Sequence, residues 1–414
     1  MSLPFEKYTL ANGLRILVQK DPTTSIAAVN ILYDVGSRDE DPEKTGFAHL
    51  FEHLMFGGSV NIPDFDGPLQ LAGGENNAFT ANDITNYYLS IPQNNIETAF
   101  WLESDRMLNL AFSESSLEVQ RKVVVEEFRQ RYLNQPYGDL WLLFRPLCYQ
   151  VHPYRWATIG KEISHIENAV MDDVRAFYSR FYHPGNAILS IVSGLENDKV
   201  LIMAEKWFGG IPGGSFYKRE LPKEPDQNAM RRQIVKRDVP FDILMMAYHM
   251  DDRKSPAYYA QDLISDLLSS GKSSRLYHHL IREKKLFTEI SAYITGDADP
   301  GLFVLYGKVQ KGADINQAEE AVRMSLQEIC DKEVSTEEMD KAVTRIEASR
   351  AFNDLSITER AYKLAYAEWL GDHRLVNEEI EFYKALRPPD IQRAALTMFK
   401  ETNCSVLHYL SDKD

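Results

Sequence analysis

The amino-acid sequence predicts an α+β protein made of two duplicated domains, each an α/β roll, that face each other across a cleft. Three observations support this fold class. A strand-then-helix pattern occurs twice at a near-constant spacing, strands alternate with long amphipathic helices in both copies, and a stretch rich in glycine and proline separates the copies. A chain of 414 residues also exceeds the size that one hydrophobic core usually supports.

The repeat is clearest where a strand pattern leads into a helical one. Residues 31–38 (ILYDVGSR) have their counterpart in residues 246–253 (MAYHMDDR). The offset is 215 at the arginines that close these segments, 214 at the glycines that end the following helical patterns, and 217 later, at Asn186 and Asn403. A spacing this constant over half of the chain indicates an internal duplication.

The duplication sets the predicted domain boundaries. Residues 1–212 are expected to form the N-terminal domain, residues 213–229 a flexible linker, and residues 230–414 a C-terminal domain of the same fold. Long helices are predicted at about residues 45–56, 94–111, 115–133 and 170–181 in the first copy, and at about 255–270, 315–331, 335–352 and 358–370 in the second.

Composition and charge exclude several classes of protein. The formal net charge of −15 argues against a general nucleic-acid partner, which requires a basic surface. No apolar run reaches the ~18 to 20 residues of a membrane-spanning helix, so a soluble protein without membrane insertion is expected. The three cysteines are widely spaced and predict no disulfide framework. The compartment stays open between the bacterial cytoplasm and periplasm, because a leader could have been removed.

The first predicted helix contains the sequence His-Leu-Phe-Glu-His at residues 49–53. At about 100° per residue, His53 lies about 40° from His49, so both imidazoles can reach one metal ion. Glu52 lies about 60° to the other side of His49, on the same face. The apolar residues of the segment form a stripe nearly opposite His49, so the helix is expected to bury one side and to present the histidines and the carboxylate on the other.

A zinc ion at this motif needs a further ligand from elsewhere in the fold. Catalytic zinc sites usually have three protein ligands and one water. The predicted helix at residues 115–133 offers Glu118, Glu126 and Glu127. Spacing alone leaves the choice among these three carboxylates open.

Together these motifs resemble the inverse-motif zinc peptidases, the family of pitrilysin, insulin-degrading enzyme and the β-subunit of mitochondrial processing peptidase. In length the chain is similar to the short bacterial members of that family. The resemblance spans the whole chain and is carried by the HxxEH segment together with residues 46–48 (GFA), 73–74 (GG), 77–80 (NAFT) and 182–186 (YHPGN).

The resemblance implies one Zn²⁺ per chain and specific roles for several residues. In the family the third ligand is a glutamate in a VxxEE-like helix segment, and Glu127 matches it here. The family often has a second glutamate seven residues earlier that supports the site, and this chain has Gln120 at that place. Glu52 is then the general base that takes a proton from the attacking water.

The resemblance also implies where a peptide substrate is held. Asn77, Ala78 and Phe79 match an edge strand to which the substrate backbone adds, although an internal strand is the competing interpretation. Relatives place an arginine and a tyrosine six residues apart in the second domain. Arg282 matches the arginine, whereas Thr288 or Glu289 occupies the place of the tyrosine.

The second copy has no metal-binding face. At the glycine offset, the two histidines and the glutamate of the motif become Leu263, Asp266 and Leu267. The histidines that lie near Arg282, His278 and His279, are interpreted as residues of a helix surface.

The function predicted from these features is a zinc-dependent endopeptidase that hydrolyses peptides or unfolded segments in an enclosed chamber. One alternative is a non-catalytic scaffold or partner subunit of a peptidase-like complex, and another is a zinc hydrolase that acts on a different bond. Since the resemblance implies a chamber built from four copies of the domain and this chain has two, a dimer is expected. The partner is either a second copy or a chain that lacks the metal motif.

Overall fold

The computed structural model describes residues 3–215 and 217–412 and divides the chain into two compact units. Unit 1 holds the residues up to Arg131 together with Trp156–Pro222 and Arg350–Asn377. Unit 2 holds Tyr132–Arg155, Lys223–Ser349 and the residues from Glu378 onwards. Each unit contains one mixed β-sheet and its own hydrophobic core. The predicted α+β fold with two domains is confirmed.

The sheet of unit 1 has six strands in the order β1-β2-β6-β3-β5-β4. Only β2 and β6 pair in parallel, and the other neighbours are antiparallel. The central strand β6 is buried along its whole length, as expected for a strand covered on both faces. The strands are β1 (Glu6–Thr9), β2 (Arg15–Lys20), β3 (Ile26–Tyr33), β4 (Glu75–Thr80), β5 (Thr85–Pro92) and β6 (Ala187–Ser193).

The sheet of unit 2 has five strands in the order β7-β11-β8-β10-β9. Its single parallel pair is β7 and β11, and it repeats the order of the first sheet without a counterpart of β1. The strands are β7 (Arg231–Arg237), β8 (Ile243–His249), β9 (Phe287–Ile294), β10 (Leu302–Val309) and β11 (Cys404–Ser411). This shared order agrees with the duplication that the sequence predicts.

All eight predicted helices are present, each within a few residues of its expected bounds, although the predicted 115–133 helix continues past Phe128 as a π-helical turn (Arg129–Leu133). None of the helices in the described residues combines the length and the apolar character that crossing a bilayer requires. The α-helices are α1 (Phe47–Met55), α2 (Asp66–Leu71), α3 (Ile96–Asn109), α4 (Glu114–Phe128), α5 (Leu140–Cys148), α6 (Ile163–Glu167), α7 (Met171–Phe181), α8 (Asn197–Phe208), α9 (Ala257–Ser269), α10 (Ile315–Asp331), α11 (Thr336–Asn353), α12 (Ile357–Leu370), α13 (Leu375–Ala385) and α14 (Pro388–Met398).

Each sheet packs against a helix that comes from the other half of the sequence. Helix α12, from the C-terminal half, packs on β3 and β6 of unit 1 and buries Leu364 and Ala365 there. Helix α5, from the N-terminal half, packs on β7, β8 and β11 of unit 2 and buries Phe144. The first residues of α5 and α12 are 217 positions apart, which is the offset of the repeat. Each half of the sequence therefore supplies one helix to the sheet of the other half, and we call this arrangement the helix exchange.

This exchange divides the chain differently from the predicted ranges 1–212 and 230–414. Residues 132–155 join the core of unit 2, and residues 350–377 join the core of unit 1. The physical reason is that each sheet has an apolar face that a helix must cover. Local sequence patterns predict such a helix but not which of two similar sheets it covers.

Two charged residues of the predicted linker, Arg219 and Glu224, make hydrogen bonds within the two units. In unit 1, Arg219 donates to Asp39 at 2.6 Å and to Asp34 at 3.1 Å. In unit 2, the carboxylate of Glu224 accepts hydrogen bonds from the backbone N–H groups of residues 150–152 at 2.8, 2.9 and 3.0 Å. The change from unit 1 to unit 2 between Pro222 and Lys223 lies within the predicted linker.

Candidate metal centre

Helix α1 carries the HxxEH segment and begins at a glycine. Gly46 has a φ of 87°, and a Cβ atom there would lie 2.6 Å from the carbonyl oxygen of Ile159, so only glycine fits. The two oxygens of the buried Glu40 carboxyl group accept hydrogen bonds from the N–H groups of Gly46 and Ala48 at 2.9 and 2.8 Å. These bonds satisfy donors that the first turn of a helix leaves unpaired, and they fix the start of α1.

The packing of α1 sets which of its side chains remain accessible. The apolar stripe is buried as predicted, in Phe47, Leu50, Phe51, Leu54 and Met55. The side chains of His49 and His53 keep 15% and 25% of their surface exposed. The helix therefore turns its polar face towards α4 and β4, the two elements that it contacts on that side.

Helix α4 brings Glu127 to the two histidines. Its Oε2 lies 3.7 Å from His49 Nε2 and 3.4 Å from His53 Nε2, and the three ligand atoms lie within 4.8 Å of one another. A tetrahedral zinc with bonds of about 2.0–2.1 Å places neighbouring ligand atoms about 3.3 Å apart. The donor set of two imidazoles and one carboxylate, at this spacing, therefore fits a zinc ion.

The electrostatics of the three residues favour the forms that bind a metal. Hydrogen bonding to His53 and the charges of His49 and Arg131 hold the pKa of Glu127 below its usual range. Burial lowers the pKa of His49, so its ring is neutral at neutral pH. A carboxylate and a neutral imidazole are the ligand forms that metal binding requires.

Arg131, which the sequence reasoning missed, fixes the other oxygen of the same carboxylate. Its Nη1 lies 2.8 Å from Glu127 Oε1, which leaves Oε2 towards the histidines. The i, i+4 spacing of the glutamate and the arginine is the signal that could have revealed this pair. The neighbouring Glu126 is largely exposed and pairs with Arg129. Gln120 lies half-buried on α4. Its side chain makes no hydrogen bond with another described residue.

Glu52 lies on the same face of α1 as the histidines but outside the three-ligand group. Its Oε2 accepts a hydrogen bond from the hydroxyl of Thr80, the last residue of β4. Burial raises the pKa of Glu52 above its ordinary value, and the bond from Thr80 opposes this rise. A partly desolvated carboxylate with one oxygen held in place is suited to accept a proton at the other. Thr80 was not among the predicted site residues.

The strand that contains Asn77, Ala78 and Phe79 lies at an edge of its sheet. Among the described strands, β4 pairs only with β5, so the interpretation of an internal strand was wrong. Ala78 is opposite Tyr87 in the ladder, and its N–H group donates to the side chain of Asn77 at 2.8 Å. The ring of Phe79 packs edge-on against Tyr362 of α12 at 5.5 Å. The strand is linked to Glu52 through the hydroxyl of its last residue, Thr80.

The residues predicted in the second domain lie in unit 2. Arg282 is exposed on a π-helical turn (Tyr277–Glu283) and has no ion pair with another described residue. Thr288 and Glu289, at the start of β9, are also exposed, and Thr288 donates to the carbonyl of Lys308 at 3.2 Å. Strand β9 is an edge strand of its sheet among the described strands, as β4 is.

The chain is similar to known peptidase families and to a named protease. A family model described as insulinase, peptidase family M16, matches residues 15–137, and one described as the peptidase M16 inactive domain matches residues 168–346. The zinc protease PqqE of Helicobacter pylori is 30% identical over 97% of this chain and 92% of its own length.

Solved structures give the same result for the fold. A protease from Helicobacter pylori superposes with a TM-score of 0.92 at 28% identity, over 99% of this chain and all of that one. A protein from Pseudomonas fluorescens, described as a peptidase M16 inactive domain, superposes with a TM-score of 0.90 at 17% identity, over 100% of this chain and 98% of that one. At 17% identity, the similarity to the Pseudomonas fluorescens protein shows a shared fold and no more.

Proposed function

This chain belongs to peptidase family M16, the insulinase family, and on that premise we propose that it is a zinc-dependent endopeptidase. The observation that carries the proposal is the approach of His49, His53 and Glu127 to within 4.8 Å of one another, next to the carboxylate of Glu52. Nothing in this geometry depends on the resemblance of the sequence to other proteases. The name of the H. pylori relative, a zinc protease, supports the same metal.

In the proposed reaction the residues of the chain hold the metal and move one proton. His49, His53 and Glu127 provide the ligands, and zinc, when bound, supplies Lewis acidity to a water and to the substrate carbonyl. Glu52 accepts the proton of the attacking water at its free oxygen, while Thr80 holds the other oxygen. The same carboxyl group then passes the proton to the leaving amine.

Substrate is proposed to bind as an added strand along β4. The unpaired edge of β4 offers backbone groups to an extended peptide, and such pairing selects for main-chain geometry more than for side chains. The N–H of Ala78 would exchange its bond to Asn77 for one to the peptide. Arg282 is proposed as a further substrate contact. Peptides or unfolded segments taken into an enclosed chamber are the substrate class that the resemblance supports.

A non-catalytic role is the second candidate, because one family model carries the description of an inactive domain. That model matches residues 168–346, which begin after Glu127 and so contain none of the three ligands. Its match therefore agrees with a second copy that lacks the HxxEH ligands and does not count against the site in unit 1.

One experiment separates the two candidates. Tag-free protein is analysed for zinc and then incubated with a peptide library, with and without a chelator. About one zinc per chain and internal cuts that disappear on chelation and return with zinc would support the endopeptidase. A metal-free protein that cuts no peptide, alone or with a similar chain, would refute it.

We also propose that the active species is a dimer, either of two copies or with a chain that lacks the metal motif. The proposal rests on the two domain copies per chain and on Thr288 and Glu289, which stand where relatives have a tyrosine. Solution mass and peptidase activity are measured on the same sample. Full activity as a monomer would refute both forms, and full activity as a homodimer would refute the heterodimer.

A further inference from the structure

A second group of metal-ligand side chains lies on the π-helical turn of unit 2. His278, His279 and Glu283 each offer a ligand atom, and the three atoms lie within 4.8 Å of one another. His278 Nδ1 is 3.3 Å from Glu283 Oε1. A further carboxylate oxygen, Oε2 of Glu328 on α10, lies 3.8 Å from His279 Nδ1.

The π-helical turn is the reason that these residues converge. In an α-helix, His278 and Glu283 would be about 140° apart around the axis, because each residue turns the chain by about 100°. In a π-helix the backbone bonds run from residue i to residue i+5, as from the N–H of Lys284 to the carbonyl of His279. Residues four and five positions apart then lie on one face. Glu283 is four after His279 and five after His278, so it lies between them.

We propose that this turn is a second, weaker site for a borderline transition-metal ion such as Zn²⁺, bound by His278, His279 and Glu283. Two imidazoles and one carboxylate are a donor set that zinc accepts, and the separation of 3.3 Å matches the ~3.3 Å between ligand atoms around a tetrahedral zinc. Glu328 of α10 lies next to His279 but outside the group of three ligand residues.

The surroundings of this site explain why it binds less tightly than the candidate centre of unit 1. His278 and Glu283 keep 58% and 57% of their side-chain surface exposed, so part of any metal interaction is lost to water. Arg282, Lys284 and Lys285 are exposed cations on or next to the same turn and repel a metal ion. The metal at this site therefore exchanges readily with the solution.

Occupancy has a consequence for Arg282, which lies within the same turn, between His279 and Glu283. A metal ion bound by His279 and Glu283 would restrict the motion of the turn between them. The position of the Arg282 backbone would then be restricted as well. This consequence rests on the proposed function, in which Arg282 contacts substrate, whereas the metal site itself does not.

The test uses full-length, tag-free protein in which the first site is removed. The double variant H49L/H53L is stripped of metal and titrated with Zn²⁺ in a calorimeter, and H278A/H279A and E283Q are then added to that background. The control is H373A in the same background, because His373 is also exposed and lies 3.7 Å from the carboxylate of Glu368 but belongs to no three-ligand group among the described residues. Circular dichroism checks that each variant is folded.

The expected result is one Zn²⁺ per chain in the background variant, no binding after H278A/H279A, and at least about a tenfold weaker binding after E283Q. H373A should leave the titration unchanged. No binding in the background variant would overturn the proposal, and so would binding that survives H278A/H279A. Peptide hydrolysis is not measured, so failure of the proposed function cannot be mistaken for failure of this site.

Discussion

Helices α1 and α9 occupy matching places in the two copies of the fold, yet only α1 has an open polar face. His49 and His53 of α1 become Leu263 and Leu267 in α9, and these leucines are 0% and 6% exposed. Helix α9 buries residues around most of its circumference because it packs on both β9 and α14. Asp266, the counterpart of Glu52, lies 3.7 Å from Arg345.

The difference shows that the fold supplies the position of the site and a few side chains supply its chemistry. The residue 217 positions after Glu127 is Thr344, an exposed residue that brings no carboxylate to α9. Where the first copy leaves imidazoles and a carboxylate accessible, the second has leucines and an ion pair. Four sets of variants test how far this comparison holds.

The largest effect is expected when the leucines of α9 are placed in α1. The double variant H49L/H53L should lose zinc at this site and all peptidase activity, because a single carboxylate remains of the ligand set. Its thermal unfolding should stay close to that of the metal-free wild type, since leucine at these places is compatible with the fold in unit 2. Metal analysis and calorimetry measure both quantities. Activity at the wild-type level would disprove the assignment of both histidines.

Removal of the general base should have the next largest effect. Glu52→Gln keeps the size and one acceptor oxygen but cannot take a proton, so kcat should fall by about 10² to 10⁴ while zinc content is unchanged. The matched control is Asp266→Asn, which changes the counterpart residue in α9 and should leave kcat unchanged. Equal rates for Glu52→Gln and the wild type would show that another group accepts the proton.

The two adjacent glutamates of α4 should differ in their effect on the metal. Glu127→Gln weakens one of three ligands, so zinc affinity should fall by at least about 10- to 100-fold in a competition titration. Glu126→Gln removes only an exposed pair with Arg129 and should not change the affinity. If instead the Glu126 variant loses zinc, the ligand has been assigned to the wrong neighbour.

The smallest effect is expected on the free energy of unfolding, when the residues that hydrogen-bond to the starts of α1 and α9 are changed. Burial raises the pKa of Glu40 to about 8, so between roughly pH 4.5 and 8 the folded state keeps a proton that the unfolded state has released. The free energy of unfolding contributed by Glu40 therefore falls as pH rises through this window and is constant above it. The free energy of unfolding of Glu40→Gln, measured with denaturant at several pH values, should not show this decline. The decline amounts to about a few kcal/mol at most.

The counterpart of Glu40 at the offset of 215 is Ser255, whose hydroxyl accepts from the N–H of Ala257 at 3.2 Å. Ser255→Ala should cost about 0.5–2 kcal/mol at every pH, because a hydroxyl does not titrate in this range. A pH-dependent loss in Ser255→Ala, or an unchanged slope in Glu40→Gln, would contradict the explanation.

The sequence was sufficient to predict the parts of the site that lie within one helix. The angles around α1 placed His49, Glu52 and His53 on one face, because helical geometry is fixed by spacing. Glu127 was predicted from resemblance, since no local rule states which distant helix meets α1. Thr80 could not be predicted because its contact with Glu52 depends on where β4 ends in space.

Other contacts could not be predicted from local patterns. His278 and His279 were interpreted as helix-surface residues, and both lie on a partly exposed π-helical turn, but their approach to Glu283 was not predicted because such a turn has no reliable sequence signal. The bonds of Arg219, in the predicted linker, to Asp34 and Asp39 could not be predicted either, because these residues are distant in sequence.

The exchange of α5 and α12 has a consequence for the order of events during synthesis. The last strand of the first sheet ends at Ser193, but the helix that covers its apolar face ends at Leu370, 177 residues later. At about 5–20 residues per second, a ribosome needs roughly 9 to 35 s to make that length. During this interval the nascent sheet lacks the helix that covers this face, so the apolar face stays open to other contacts until α12 has been made.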